Sequence, residues 1–439
     1  DQWHTMTKTG KVSRLMTHIP SPVLEMNPID AYKAEIETDD IVIVSSKNGT
    51  VRVKVKVANT TRESVVFLPM HWGKQLDNDL NRTNNLTNTL IDPLSKEPDF
   101  KYTCVAIEKY KKPTEKIVVV GAGAAAFRFI QNYREINTQD EIVVFSNEKN
   151  PFYNRVLLPE YVTAELSWEQ LLKIKEEALA KLNITLQSEV AINQISTDEK
   201  KITDSNGVIH HYDTLILATG SRPFVPENAQ LHLPGRFTIR KKDDADRLRN
   251  YLEQTQLPPE EQHVVIVGGG LLGLELAAAL KHKKVKITII QRASRLMERQ
   301  LDRISSKLLA EEVQQRDIQI YFDNEVSTVF STNRAHELEI ALKSGRTLTA
   351  NAIVYTIGTI PNIEVAKEAG LTCARGVKVN QYLQSSNPSI FAIGEIAEFN
   401  NQLFGITSAA EEQADILANY LAGDISSHYK GSVLMNILK

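Results

Sequence analysis

The chain carries one structural unit twice: an apolar strand, a turn built on spaced glycines, then a helix. The first copy, "KIVVVGAGAAAFRFI", gives Gly121-x-Gly123-x-x-Ala126. The second, "HVVIVGGGLLGLELAAAL", gives Gly268-x-Gly270-x-x-Gly273. Strand, glycine turn, helix, strand is the grammar of a parallel α/β sheet. Gly121 permits the tight turn, Gly123 removes a Cβ that would block a pyrophosphate, and Ala126 lets helix and strand pack closely. Phosphates would rest on the helix N-terminus, where free N–H groups and the dipole favour anions.

The strand after each turn refines the reading. "EIVVF" leads to Glu148, about 20 residues past the first turn, where a carboxylate takes ribose hydroxyls. "VKITII" leads instead to Gln291-Arg292. An acid there would favour NADH by accepting from the 2′-hydroxyl. Arg292 could accommodate a 2′-phosphate or be a solvated surface charge, so coenzyme preference stays open. Two dinucleotide folds imply two dinucleotides, one a tightly held flavin and the other a diffusible nicotinamide. Hydride transfer between stacked rings needs alignment and exclusion of water more than acid or base side chains. No catalytic acid, base or nucleophile is assigned.

Composition narrows the class. A chain of 439 residues has room for about three domains at roughly 150 residues each. Hydrophobic content of 42% and charged content of 24% are those of an ordinary globular protein. A net charge of −3 points to neither nucleic acid nor a membrane surface. The longest apolar run, 264–280, is broken by glycines and Glu275, and falls short of the about 20 residues a bilayer needs. The two cysteines, Cys104 and Cys373, lie far apart with no CxxC. No zinc or iron–sulfur site and no redox disulfide within the chain is expected, and a reduced cytoplasmic setting fits.

Residues 1 to about 107 read as β-rich. "DIVIVSSKNGTVRVKVKVANTTRESVVFLPMHW" alternates apolar and polar, with Asn48-Gly49 as the expected hairpin turn. "EKYKKPTEK" (108–116) is charged, carries Pro113 and reads as a linker. Between the glycine turns, 184–220 reads as short antiparallel strands returning to a buried strand at 214–218. The opening "DQWHTMTKTGKVSRL" lacks the apolar core of a secretion signal, and is too apolar for a disordered tail. Its Trp, His and Thr residues, with Lys8 and Lys11, suit a polyanionic, ring-bearing ligand. The chain opens without Met and ends on "YKGSVLMNILK", where a new strand is expected to begin. Both ends read as cut from something longer.

Further motifs carry a resemblance. "YDTLILATGSRP" (212–223) and "SIFAIGEIAE" (389–398) resemble two further flavin fingerprints of the two-dinucleotide-binding flavoprotein reductases, and the order of the motifs matches over about 116–425. The resemblance implies Rossmann-like FAD and NAD domains. Gly121, Gly123, Ala126 and Glu148 would hold the ADP half of FAD, with Thr219 and Gly220 on its far side. Gly394-Glu395 would bring a carboxylate to the ribityl chain, where Asp is the commoner residue. Gly268, Gly270, Gly273, Glu275 and Arg292 would hold NAD(P)H. Disulfide reductases of this superfamily carry a Cys pair after the second flavin strand, whereas this chain has "NPFYNRVLLPEY". With "RLMERQLDRISSKLL" (295–309), that stretch looks like the flavin module of the NAD(P)H nitrite reductase large subunit, and is similar to rubredoxin reductases. This implies single-electron delivery to an iron–sulfur acceptor, with Arg155 beside the flavin. On the residues alone, Tyr153 and Arg155 could equally anchor a loop on the sheet.

The opening stretch, "VVFLPMHWG" (65–73), "NNLT" (84–87) and "DPLSKEPDFK" (92–101) together resemble the C-terminal domain of molybdopterin oxidoreductases, specifically nitrate reductases. That implies a β-rich, double-psi barrel-like domain closing over a molybdopterin guanine dinucleotide. Trp3, His4, Thr5, Thr7 and Thr9 would contact the dinucleotide, with Lys8 or Lys11 near its phosphates. Asn84 and Lys101 would complete the pocket, and His71 and Trp72 would lie toward the substrate funnel. On the residues alone, the threonines could merely cap turns.

The expected domains are a molybdopterin dinucleotide-binding domain (1–108), a linker (109–115), the FAD domain's first part (116–230), the NAD(P) domain (231–350), the FAD domain's second part (351–425) and the start of another domain (426–439). The expected function is enzymatic: electrons pass from NAD(P)H through FAD toward a molybdopterin nitrate reductase centre in nitrate assimilation. No metal ligands are assigned within this chain. The alternatives are the reductase module of a nitrite reductase, a rubredoxin or ferredoxin reductase, and a flavin-bearing redox sensor. No nucleic-acid or membrane partner is expected.

Overall fold

In the computed structural model of the chain, the described residues are 21–70, 72, 79–99 and 102–433. The N-terminal unit is a five-stranded sheet in the order Val66–Phe67, Val23–Met26, Gly49–Val57, Ile41–Ser46, Ala106–Lys109. The alternation dictates its two faces. Val42, Val44, Val51, Val53 and Val55 are buried with Leu24, Met26 and Leu86, while Arg52, Lys54 and Lys56 point the other way. The hairpin differs from expectation by one residue. Ser46 pairs with Gly49, so Lys47 and Asn48 form the turn. The Asn48 amide instead donates to the Thr87 carbonyl at 2.8 Å. A Cβ on Gly49 would come within 2.7 Å of the Asn85 carbonyl, so this glycine serves close approach of the 83–85 turn.

Each glycine turn leads out of a strand of its own five-stranded parallel sheet. The first sheet has the order Ile390–Ala392, Thr214–Leu217, Lys116–Val120, Glu141–Phe145, Thr185–Gln187. Its strands other than the edge strand Thr185–Gln187 are buried on both faces, as the near-continuous Val/Ile/Leu runs require. The helix Ala124–Ile136 covers one face and packs against Thr407–Leu421. The expected antiparallel meander is Ile192–Ser196, Lys201–Asp204 and Ile209–His211. The second sheet has the order Arg236–Thr238, Ala352–Tyr355, His263–Val267, Lys286–Ile290, Ile318–Tyr321.

A two-stranded ribbon, Ser221–Pro223 against Thr359–Pro361, joins the two crossings between these units. The second sheet therefore runs past the expected boundary at 350, because Ala352–Tyr355 is one of its inner strands. Tyr429, beyond the expected boundary at 425, is 1% exposed and packs on Phe399 and Phe404 in the core of the first unit.

The segment expected as a linker is held in place. The Arg52 guanidinium lies 4.7 Å from the Tyr110 ring centroid, and Lys54 pairs with Asp424 at 2.7 Å. Lys112 pairs with Asp140 at 2.8 Å, with side chains 11% and 1% exposed. Asp140 also accepts from the Tyr133 hydroxyl and from the Glu115 amide. Burial opposes ionisation of Asp140, but these donors outweigh it and hold the carboxyl below its ordinary value of 3.8. Its contribution to stability is present above pH 3.8 and is lost as pH falls through the lowered folded value. Asp140→Ala removes the acceptor shared by Lys112, Tyr133 and the Glu115 amide, while Lys112 keeps its pairing with Glu115 at 3.2 Å, and is expected to cost about 1–3 kcal/mol at neutral pH, read by urea unfolding. A loss under 1 kcal/mol would mean the network does not anchor the segment.

Candidate functional site

Both glycine turns open into one continuous cavity of about 1600 Å³. A pocket for one small ligand is typically about 300–1,000 Å³, so there is room for two. Within each turn the glycines divide into two kinds. Gly121 has φ +112°, and a Cβ there would lie 2.2 Å from the Ala218 carbonyl oxygen. Gly268 has φ +113°, and its Cβ would lie 2.7 Å from the Thr356 carbonyl. These two are demanded by the backbone. Gly123 and Gly270 have ordinary extended backbones, and an added Cβ would meet nothing within 4 Å. Nothing among the described residues requires glycine there; the space each leaves belongs to the cavity. Each is the N-cap of a long helix and offers no capping side chain, so the helix N–H groups are left for an anion. That geometry fits a dinucleotide pyrophosphate at both turns.

The other expected flavin-site residues gather around the first turn. Glu148, Arg155, Thr219, Gly220, Gly394 and Glu395 all line the cavity. Glu148 pairs with Arg155 at 2.7 Å and accepts from the Tyr153 hydroxyl at 2.8 Å. Burial works against the charge on Arg155, yet Tyr153 and Glu148 keep its pKa above the ordinary value. Burial also pushes the Tyr153 phenol up, so it stays a neutral donor. Glu395 accepts from the Ser221 hydroxyl at 3.0 Å and pairs with Arg240. Arg155 donates to the Arg240 carbonyl at 3.2 Å, linking the two ion pairs. The Thr219 hydroxyl donates to the Asn362 carbonyl at 2.9 Å, and the Asn362 amide returns a bond to the Thr219 carbonyl. Arg240, Ser221 and Asn362 were not singled out by sequence reading.

Around the second turn, Gly268, Gly270, Glu275 and Arg292 line the same cavity. Ala126 and Gly273, assigned to cofactor contact, do not line it; they lie behind the turns. A Cβ on Gly273 would sit 2.0 Å from the Gly268 carbonyl, so this glycine serves helix–strand packing. Gln291 is 5% exposed and turned inward. Its amide oxygen accepts from the Gly269 N–H at 2.7 Å, and its amide nitrogen donates to the Arg295 carbonyl and to Glu298.

Of the residues assigned to molybdopterin guanine dinucleotide, Trp3, His4, Thr5, Thr7, Thr9, Lys8, Lys11 and Lys101 lie outside the described residues, as does His71. Asn84 is exposed in the 83–85 turn, and Trp72 is buried. Cys104 and Cys373 are free thiols that do not line the cavity. Among the described residues, no group of His, Cys, Asp and Glu could hold a metal, and no helix is long and apolar enough to cross a membrane.

Residues 115–414 match the sequence profile described as pyridine nucleotide-disulphide oxidoreductase, and residues 1–104 match the molydopterin dinucleotide binding domain. The assimilatory nitrate reductase electron transfer subunit of Bacillus subtilis (strain 168) is 31% identical over 326 residues, 74% of this chain and 41% of that protein. Nitrite reductase [NAD(P)H] of the same strain is 30% identical over 328 residues, 74% of this chain and 40% of that protein. The chain thus spans well under half the length of these curated relatives. Among solved structures, NADH:rubredoxin oxidoreductase from Clostridium acetobutylicum superposes with a TM-score of 0.62 at 25% identity, covering 74% of this chain and 80% of that one.

Proposed function

The chain belongs to the pyridine nucleotide-disulphide oxidoreductase family through residues 115–414, and on that basis we propose that it oxidises NAD(P)H at an FAD site and delivers the electrons toward a molybdopterin nitrate reductase centre in nitrate assimilation. One observation carries the reading: the reductase match and the molydopterin dinucleotide binding match lie on the same chain. In this reading Gly121, Gly123 and Glu148 hold the ADP half of FAD. Thr219, Gly220, Gly394 and Glu395 line the rest of its site, and the second turn takes the nicotinamide nucleotide. Bound FAD would supply a two-electron hydride acceptor able to release electrons singly. The chain's own residues bind, orient and shield. Arg155 and Arg240 fix the two site carboxylates, so neither has to be ordered when the cofactor arrives.

Neither cysteine lines the cavity, so electrons leave by a route other than a dithiol of this chain, and an iron–sulfur acceptor is the fitting partner. A cytoplasmic setting follows from that role. The nearly equal identity to a nitrite reductase favours a second reading, delivery to a nitrite-reducing centre. Two measurements decide. The FAD-loaded chain should reduce a one-electron dye with NAD(P)H at roughly 1–10³ s⁻¹. A bound nucleotide with no dye turnover would indicate a sensor instead. Cells lacking the chain should lose growth on nitrate but keep growth on nitrite as nitrogen source. Loss of both would transfer the assignment to nitrite reduction.

A further inference from the structure

We propose that the second nucleotide site is built for NADPH rather than NADH, with Arg292 reading the 2′-phosphate; this rests on the reading of that turn as the nicotinamide site. After the strand Lys286–Ile290, the position that would take a ribose 2′-hydroxyl holds Gln291. Its side chain is tied into the turn. Its oxygen caps the glycine turn at the Gly269 N–H, and its nitrogen is bonded at 3.1 Å to the Arg295 carbonyl and at 2.9 Å to the Glu298 carboxylate. Gln291 therefore shapes the turn from below, and its neutral amide offers a ribose hydroxyl no carboxylate acceptor.

The next residue faces the ligand. Arg292 is exposed on the cavity wall and makes no hydrogen bond or ion pair among the described residues. Arg299, also exposed there, is likewise without one. The nearby Glu298 and Glu325 carboxylates keep their charge, but neither makes an ion pair with these guanidinium groups. Glu325 senses the Arg292 charge but is paired with Lys343 at 2.6 Å, and Glu298 accepts from Gln291. The wall thus presents guanidinium charge without a committed partner, where an ionised phosphate would find it and a hydroxyl would gain little. A guanidinium–phosphate contact is a charge-assisted, bidentate one, worth roughly 10–100-fold in affinity.

The test uses the FAD-loaded chain under anaerobic conditions. NADPH should exceed NADH in kcat/KM for flavin reduction by at least about 10-fold. Arg292→Gln should move that ratio toward NADH by roughly 10–100-fold, with flavin content as the folding control. Independently of turnover, 2′,5′-ADP should bind more tightly than 5′-AMP, and Arg292→Gln should remove the difference. Wild-type protein that uses both coenzymes equally or prefers NADH overturns the proposal, as does a ratio unmoved by Arg292→Gln. Failure of the wider reading looks different: a chain that retains no FAD, or whose flavin neither coenzyme reduces, fails as a reductase.

Discussion

Gly123→Val is expected to yield a folded protein that purifies without flavin. The variant probes the ligand rather than the chain. The Gly123 backbone, φ −91° and ψ −165°, is one that valine adopts freely, and a Cβ there meets no atom of the described residues within 4 Å. The protein's own penalty is a poorer N-cap, about 1 kcal/mol at most. A dinucleotide seated on this helix would meet the new side chain at its pyrophosphate. FAD affinity should fall by at least ~100-fold, about 2.8 kcal/mol. Gly121→Ala makes the contrast. It forces φ +112° on a residue with a Cβ 2.2 Å from the Ala218 carbonyl, and should reduce soluble, folded protein rather than flavin alone. A Gly123→Val protein that is fully yellow would remove the flavin from the first turn.

Gly270→Val is expected to give the complementary phenotype: a yellow protein whose flavin NAD(P)H no longer reduces. The same reasoning applies, since Gly270 caps the helix Leu271–His282 in extended backbone and its added Cβ points into the cavity. Hydride transfer falls with occupancy, so the second-order reduction rate should drop by at least ~100-fold while flavin content stays at the wild-type level. Together the two variants separate the sites. If Gly270→Val lost FAD and Gly123→Val kept it, the assignment of the two turns would be reversed.

The sequence showed the two turns and their order because the constraints there are local. A positive φ or a forbidden Cβ admits one residue type, so Gly121, Gly268 and Gly273 advertise themselves. The same holds for the buried parallel strands, whose apolar runs need no knowledge of their neighbours. Partners remote in sequence gave no such signal. Arg240 lies in "TIRKKDD", one of several basic residues, and only folding brings it to Glu395. Asn362 meets Thr219 across the ribbon joining the two units, a contact that no spacing encodes. Gln291 was read as a neutral gap in ribose recognition; its inward turn and its bond to Gly269 depend on the depth of the strand end. The segment around Pro113 reads as a linker in sequence because it is charged and carries a proline. It is fixed instead by charge, through Lys112 and Asp140.

The central claim is that the first turn holds a flavin which a nicotinamide bound at the second turn reduces. The measurement that tests it most directly is the visible absorption spectrum of the purified chain under anaerobic conditions, before and after one equivalent of NADPH, then NADH. The account predicts an oxidised flavin band that bleaches within seconds, and more readily with NADPH. A chain without a flavin band, or one whose band neither nucleotide bleaches, would contradict it.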